Sequence, residues 1–418
     1  MDMLCRQGST GSAVAAPAER PRVVDVLRRF GPAVAAARPL GAGQLRLLRD
    51  AGLCRTAALG GHVLRCDHCG LEVPLYNSCR NRNCPNCQAL EQERWIQARS
   101  ERLLPVAHHH VVFTVPAQLR SLFQAFPVQM LAMLQTAVRE TLLPLCAQRH
   151  GMIPGVTAVL HTWTRELLYH PHVHCIVSAG GLSLDRQRWI SKPNFLLPVA
   201  LLRAAFRARL LANLDLLFDR GEVSVKASDG IDAEAARTRL FKSMPRQKKW
   251  VVYIERPFGR STHVLSYLGR YTHRVAIGDA RMVSLDEEAV VFRTRGDDIC
   301  TLRPVDFVSR FLQHILPKGL NKIRHYGLYA PAAVRTTLPV ARGLLSNGDA
   351  DDDPADAPTA SASSDPQTVT DEPLLEAAAA LLQRLTGVDP RRCPACAAAP
   401  MSIFAVAPER QSRARGPP

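Results

Sequence analysis

Apolar and polar positions along the chain follow two rhythms, and the change from one to the other marks the elements. Val23, Val24, Val26, Leu27 and Phe30 recur at helical spacing, as do Leu45, Leu47, Leu48 and Ala51, so short helices are expected over 22–30 and 43–51. A charged amphipathic helix is expected over 90–104, stopped by Pro105. The run from His108 to Pro116 is β-branched and aromatic and reads as a strand. Residues 119–149 are mostly helical in pattern, 155–165 read as a second strand, and a turn over 167–171 sends the His172 strand back beside it. A long Leu/Ala/Arg helix is expected over 198–218, a strand over 251–255, and a turn at 257–260 with Ser261 or Thr262 capping a helix. Residues 282–295 read as a β-hairpin, and 307–329 as a helix, a Pro-Lys-Gly break and a basic stretch. The class is α+β.

The ends of the chain lack this patterning. Residues 1–20 are Ala, Ser, Gly and Pro with scattered charge and read as a loose tail. Residues 346–373 carry almost no large apolar side chains and read as an acidic disordered linker, followed by a short helix over 374–385. At 418 residues the chain is too long for one core, so two or three domains are expected. The boundaries fall after about 20, 104, 345 and 373.

Charge changes the picture next. Lys and Arg number 53 against 37 Asp and Glu, a formal net charge of +16, which favours a polyanionic partner, nucleic acid before acidic lipid. No stretch of about 18 residues is apolar and uncharged, so no membrane span is expected. The first 20 residues do not have the form of a secretory signal, which points to the cytoplasm.

The 12 cysteines cluster, and without a signal peptide such clustering argues for thiolates on zinc rather than disulfides. Cys66-x2-Cys69 and Cys84-x2-Cys87 are two knuckle half-sites separated by 14 residues, enough to supply four thiolates to one tetrahedral Zn2+. Cys54, Cys79, His62 and His68 are left over, and either histidine is able to replace a thiolate. Cys393-Pro-Ala-Cys396 is a half-site with no second half in its tail. Arg80 and Arg82 lie beside the module, where they reach phosphate or simply face solvent. The stretch Phe241 to Trp250 is basic with two aromatic positions, which suits a single strand held by Lys242, Arg246, Lys248 and Lys249 with a base on Trp250; an ordinary basic loop has the same composition.

His172 and His174 stand two apart in a strand and therefore share a face, at the spacing for chelating one divalent cation. Satisfied histidines of an edge strand would look the same. A third ligand is needed. His161 is the choice, because its strand lies alongside, with Glu166, His170 and His273 as alternatives. Mg2+ or Mn2+ suits such a set only when substrate and water complete the shell. Some 90 residues on, Tyr267 and Tyr271 stand at i and i+4 of the expected helix and face one side. A packed aromatic pair is the plain reading of that spacing. Beside a metal it has another: one phenol attacks phosphorus and displaces a 3′ oxygen, leaving a 5′-phosphotyrosine, while the second acts on another strand. Arg270 and Arg274 would hold DNA phosphates. The chain has no phosphate-cradling G-x-x-x-x-G-K-[ST] loop, so no nucleotide cofactor is expected.

These pieces together resemble the two-tyrosine HUH (histidine–hydrophobe–histidine) transposases of the insertion sequence 91 family. The matching segments are Ser78-Cys-Arg-Asn-Arg-Asn-Cys-Pro85, Leu104 to Pro116, Leu160-His-Thr-Trp163, His170-Pro-His-Val-His-Cys-Ile-Val177, Tyr267-Leu-Gly-Arg-Tyr-Thr-His-Arg274, Phe311 to Gly319 and Ile323-Arg-His-Tyr-Gly327, in family order over roughly 25–345. The resemblance implies an N-terminal zinc-binding domain over 21–104 and a ferredoxin-like HUH nuclease domain over 105–345. It implies rolling-circle transposition through single-stranded DNA of the mobile element and its target, on the bacterial nucleoid. Carried over, His172 and His174 become metal ligands and Tyr267 and Tyr271 nucleophiles. A replication initiator or relaxase would use the same site, though the zinc module and the lack of an ATPase motif favour transposition. A zinc-dependent DNA-binding protein with no catalysis is the reading from another class.

Overall fold

The computed structural model describes residues 20–87, 96, 102–194, 196–225, 232–246, 250–258, 275–347, 350–351, 389, 392–397 and 401–408. Its largest sheet grows from the β-branched runs around the histidines. β3 (His108–Thr114), β4 (Met152–Trp163), β5 (Tyr169–Ser183), β7 (Val252–Phe258) and β11 (Ile323–Gly327) lie side by side in the order β11-β4-β5-β3-β7. Every neighbouring pair on this path is antiparallel. β6 (Trp189–Ser191) and β12 (Ala350–Asp351) extend one end of β5. Leu104 and His108 are tied to this sheet by Tyr329, whose hydroxyl meets the Leu104 N–H and the His108 Nε2. The Tyr329 ring lies where a side chain on Gly155 would be, which is why β4 carries glycine there.

Two helices cover one face of that sheet. α3 (Arg120–Ala125) leads into α4 (Pro127–His150), and α5 (Val199–Asp219) lies against α4. Leu131, Leu134, Val138 and Leu142 on α4, with Leu202, Phe206, Leu210 and Leu214 on α5, meet Val111, Phe113, Ala158, Leu160, Val173, Cys175 and Val177 from the strands. The strand residues are alternate ones, so the period of two that buries them sends His110, His161, His172 and His174 to the opposite face. Each fully buried Leu or Phe contributes about 1.5–3 kcal/mol, so this layer sets the register of the histidines. α6 (Ala233–Ser243) follows, capped by Asp232, whose carboxylate accepts from the Ala235 N–H at 2.7 Å.

A second core joins the two ends of the patterned region. α1 (Val23–Ala37) and α2 (Ala42–Leu53) pack with Cys54, Cys84 and Cys87 against Leu167, Val275, Ile277 and Phe292. The same core takes in the hairpin β8 (Met282–Leu285) and β9 (Val290–Arg293), then β10 (Ile299–Leu302) and α7 (Pro304–Leu312). α1 runs past Pro32, beyond the expected 22–30, because Val34 is buried in this core and outweighs the helix-breaking tendency of proline. Gly31 allows the close approach of α2, since a Cβ there would sit 2.8 Å from the Leu48 Cδ2. Polar contacts add to the junction: the Val23 N–H donates to the Asp279 Oδ1 at 2.8 Å and the Gln44 Nε2 to the Leu312 carbonyl at 2.9 Å.

α8 (Pro331–Val334) and α9 (Thr337–Ser346) close the patterned region. Within the acidic linker expected over 346–373, Ala350 and Asp351 pair in parallel with Trp189 and Ile190. The remainder of that stretch, the tail over 1–19, most of the helix expected over 90–104 and the helix expected over 374–385 lie outside the described residues. Near the chain's end, β13 (Met401–Val406) adds to β1 (Gly61–Cys66), which also pairs with β2 (Glu72–Tyr76). Nothing in the sequence pattern announced that return. Among the described residues no helix is long and apolar enough to cross a membrane.

Candidate active site and metal centres

The register of β4 on β5 places His161 directly opposite His172, with Val159 opposite His174. The three imidazoles therefore converge. One ligand atom from each of His161, His172 and His174 lies within 4.8 Å of the others. His161 is 2% exposed and its ring lies 4.5 Å from that of Trp163, nearly parallel. The ammonium of Lys322 sits 4.9 Å above Trp163. Of the alternatives, His170 receives a hydrogen bond at Nδ1 from the Arg120 guanidinium at 3.1 Å, and neither His170 nor Glu166 belongs to the converging group. His273 lies outside the described residues.

The hydrogen bonds around this group dictate its tautomers. The His172 Nδ1–H donates to the His170 carbonyl at 2.7 Å. Glu255, opposite His110 on β7, accepts from the His110 Nδ1–H at 2.7 Å. The His110 Nε2 then accepts from the His174 Nδ1–H at 2.8 Å. Both His172 and His174 thus carry their proton on Nδ1 and a lone pair on Nε2, the form in which imidazole binds a cation. Burial keeps them uncharged: it brings His172 down to about 4 and His174 well below its ordinary value. His110 is also lowered by burial, with Glu255 opposing. The donor set fits a divalent cation whose remaining positions are completed by oxygen ligands. The sequence reading missed the Glu255–His110 pair; three consecutive histidines facing alternate sides of a strand were the available signal. It also missed His314, which bonds the Leu167 carbonyl at 3.1 Å and the Thr162 hydroxyl at 3.2 Å and so pins the β4–β5 turn.

The cysteines group differently from the expectation, which is corrected here. Cys66-x2-Cys69 and Cys84-x2-Cys87 do not share one site. Cys84 and Cys87 converge with Cys54 and Cys79, whereas Cys66 and Cys69 converge with Cys393 and Cys396. The reason is steric: Cys54 ends α2 and is buried against the α1–α2 core together with Cys84 and Cys87, while Cys66 lies at the far end of β1. Zinc bonds four thiolates tetrahedrally at about 2.3 Å, which sets sulfurs about 3.8 Å apart. The Cys54–Cys87 and Cys79–Cys87 sulfurs are both 3.6 Å apart, so the set fits Zn2+. Hydrogen bonds from the Cys54 and Cys84 thiols hold Cys87 far below the ordinary thiol range, while the contacts with Cys54 and Cys87 push Cys84 up.

Two of the residues assigned to DNA are already occupied. Trp250 is 2% exposed, donates from Nε1 to the Pro245 carbonyl at 3.0 Å and meets the Phe206 ring edge-on, so the expectation that a base stacks on it is corrected. Arg82 donates to the carbonyls of Leu316, Pro317 and Leu320 at 2.9–3.3 Å, which ties the zinc module to the loop after α7. Arg80 is exposed in the left-handed region with φ 54°, directly after Cys79. Arg80, Arg82, Arg46 and Lys318 line a cleft of about 840 Å³ between the zinc module, α3 and the loop after α7, and Tyr169 at the start of β5 lines it too. Tyr267, Tyr271, Arg270, Arg274, Lys248 and Lys249 lie outside the described residues. The chain on either side of the tyrosine segment is placed: Phe258 pairs with His108, and Val275 to Ile277 are buried beside Leu167 and Trp163.

A cysteine module packed against a histidine-bearing antiparallel sheet has counterparts among known proteins. Residues 155–337 match the family model described as "Putative transposase", and residues 26–115 match the model described as "Transposase zinc-binding domain". These matches define the class: the chain is a transposase with a zinc-binding domain, and transposases act on DNA. It is 38% identical over 386 residues to "Putative transposase y4qJ" of Sinorhizobium fredii, covering 90% of this chain and 93% of that protein. It is 27% identical over 307 residues to the "Transposase for insertion sequence element IS801" of Pseudomonas savastanoi pv. phaseolicola, covering 68% of this chain and 70% of that one. The chain belongs to the insertion sequence 91 family of transposases. No solved structure matches it.

Proposed function

We propose that this transposase cleaves and rejoins single-stranded DNA by tyrosine attack, leaving a 5′-phosphotyrosine, and moves its element by a rolling-circle route on the nucleoid. The observation that carries the reading is the convergence of His161, His172 and His174 on one sheet face, with His172 and His174 uncharged and their tautomers dictated by neighbours. The strand order supports a ferredoxin-like domain: β3, α3–α4, β4, β5, α5, β7 follow one another as βαββαβ, with β4-β5-β3-β7 side by side. In this reading residues 21–104 form the zinc domain and 105–345 the catalytic domain, followed by a linker over 346–373 and a tail over 374–418.

A divalent cation on the three imidazoles, Mg2+ or Mn2+, supplies Lewis-acid polarisation of a phosphate oxygen. The chain's own residues do the rest. The phenol of Tyr267 or Tyr271 gives up its proton, its oxygen bonds to phosphorus, the bond from phosphorus to O3′ breaks, and the departing O3′ takes a proton. The phosphodiester energy stays in the phosphotyrosine, and a 3′ hydroxyl reverses the step to rejoin. The second tyrosine allows two strands to be held in one site. Arg270 and Arg274, on either side of Tyr271 in the sequence, hold phosphates, and Arg80 in the cleft holds the strand on its way in.

The test is a covalent-adduct assay. Purified protein is incubated with labelled single-stranded DNA from the flanks of its own gene, with Mn2+ or Mg2+, and run on a denaturing gel. A labelled protein band that disappears on chelation and in the Tyr267→Phe, Tyr271→Phe double variant supports the reading. Zinc-dependent DNA binding with no adduct from any flank would instead make this a binding protein.

A further inference from the structure

Cys393-Pro-Ala-Cys396 has no second half-site in its own neighbourhood, yet the fold supplies one from the other end of the chain. Cys66 and Cys396 have sulfurs 3.6 Å apart, as do Cys69 and Cys393, across 330 and 324 residues of sequence. The four ligand atoms lie within 4.8 Å of one another. The separations are those of thiolates around one tetrahedral ion.

The two half-sites are also built alike. In each, the N–H four residues on folds back to the first cysteine's carbonyl: Gly70 to Cys66 and Ala397 to Cys393, both at 2.9 Å. In each, that fourth residue has positive φ, 71° at Gly70 and 57° at Ala397. A non-glycine residue adopts that region at a cost of about 1 kcal/mol, so Ala397 needs something that compensates. Two turns of the same kind, facing each other, are the form in which paired C-x2-C turns hold zinc. Around them, β13 pairs with β1 over six residues, from Gly61 opposite Val406 to Cys66 opposite Met401, and Ser402 donates to Asp67 at 2.7 Å. The apolar core under this junction is small: Leu64, Cys66, Cys393 and Met401, with Leu71 and Val73 beside them. Ile403 and Phe404 of β13 are exposed. So small a core does not hold a six-residue strand by itself, and metal binding is the usual substitute.

We propose that Cys66, Cys69, Cys393 and Cys396 hold a second zinc ion, which clasps the C-terminal segment onto the zinc-binding domain. The family zinc-domain match ends at residue 115, so half of this site lies far outside it. The N-terminal module is then a two-zinc unit completed by the far end of the chain, with the catalytic sheet enclosed in the loop that the clasp closes. The clasp is independent of the DNA chemistry proposed above and stands or falls separately.

The test compares the full-length protein with the Cys393→Ser, Cys396→Ser double variant after cobalt substitution. Thiolate-to-cobalt charge-transfer absorption counts sulfur ligands, and the histidine site contributes none. The variant is expected to lose half of that absorption and one equivalent of metal. In parallel, a protease site is inserted within 352–388 of both proteins. After cleavage the C-terminal fragment of the parent should co-elute with the body of the protein, and that of the variant should separate. Equal cobalt–thiolate absorption in the two proteins, or a variant fragment that still co-elutes, would overturn the clasp. Should the variant fail to fold, the cleaved parent still decides it: a fragment that separates while its metal is bound refutes the proposal.

Discussion

The Nδ1 of His174 and the Nε2 of His110 are 2.8 Å apart, and His110 is anchored on its other side by Glu255. Glu255 is the outermost member, and its side chain is 40% exposed. A carboxylate–imidazole–imidazole chain of this kind orients the ligand histidine and raises its basicity, and such supports typically contribute 10–100-fold in metal affinity. His110→Ala is therefore expected to raise the Mn2+ concentration needed for half-maximal cleavage by about that factor, with the rate restored at high Mn2+. Glu255→Gln, which keeps an acceptor oxygen, should do so more weakly. Cleavage measured against Mn2+ concentration checks this; a rate that stays low at saturating metal would mean that His110 merely holds the fold.

Trp250 belongs to the core of the sheet domain, between Phe206 and the Pro245 carbonyl. Trp250→Ala should cost about 3–5 kcal/mol of stability, the usual range for a buried aromatic truncated to Ala. Trp250→Phe, which keeps most of the apolar volume, should bind single-stranded DNA as the parent does. Urea unfolding and fluorescence anisotropy measure the two effects. Weakened DNA binding by a stable Trp250→Phe variant would contradict the placement.

The period-two patterning of 155–165 and the strand after it carried the register that brings His161 opposite His172, because a strand with one face packed on helices has little freedom to slip. The helices around Val24 and Leu47 and the hairpin near Val283 were readable for the same reason, local periodicity. What could not be read was pairing at long range. A C-x2-C spacing identifies a turn that offers two thiolates but not the turn that faces it, so Cys66 and Cys69 were joined to the nearest half-site, not to one 324 residues away. Cys54 and Cys79 carry no spacing signal at all; the packing of α1 on α2 brings them in. Trp250 was misread because a basic composition says nothing of where an individual indole points, and this one is turned inward. The tyrosines remain a reading of sequence.

The buried histidines set an acid limit on stability. His108 and His314 are each brought down to about 4, chiefly by burial. In the unfolded chain they titrate near 6.5, so between pH 6.5 and about 4 the unfolded state binds more protons than the native state. Stability is fully present above 6.5 and falls as pH drops through that window, by about 1.4 kcal/mol per pH unit for each histidine near its middle. Urea midpoints at pH 7.5 and 5.0 should show the loss, and His314→Gln should make the difference between the two pH values smaller. An unchanged difference would mean that His314 is already protonated in the native protein.

Cys54 and Cys79 are predicted to be as necessary for zinc as Cys84 and Cys87. Cys54→Ser should release one equivalent of zinc and loosen the α1–α2 core, since its sulfur is buried there. The same substitution at Cys300, which is buried but belongs to no converging group among the described residues, should leave zinc content unchanged. Zinc released to a chromophoric chelator separates the two. Retention of all zinc by Cys54→Ser would return Cys66 and Cys69 to the site with Cys84 and Cys87.

The cleft between the zinc module, α3 and the loop after α7 makes a prediction that depends on charge alone. Arg46, Arg80 and Lys318 line it and are exposed. Arg82 is anchored to carbonyls in the same wall and so presents a guanidinium of restricted motion. Each cation that meets a phosphate of a single strand releases condensed counterion and contributes about 0.7 to the slope of log affinity against log salt. Arg80→Ala and Lys318→Ala should therefore each weaken single-stranded DNA binding at low salt and flatten the slope by about that amount, independently of sequence. Arg82→Ala should instead lower stability, because it opens three carbonyls at the junction with the loop after α7. Binding titrations over a salt series, with thermal unfolding of each variant alongside, distinguish the two behaviours. Slopes identical to the parent's in both Arg80→Ala and Lys318→Ala would show that the strand does not pass through this cleft.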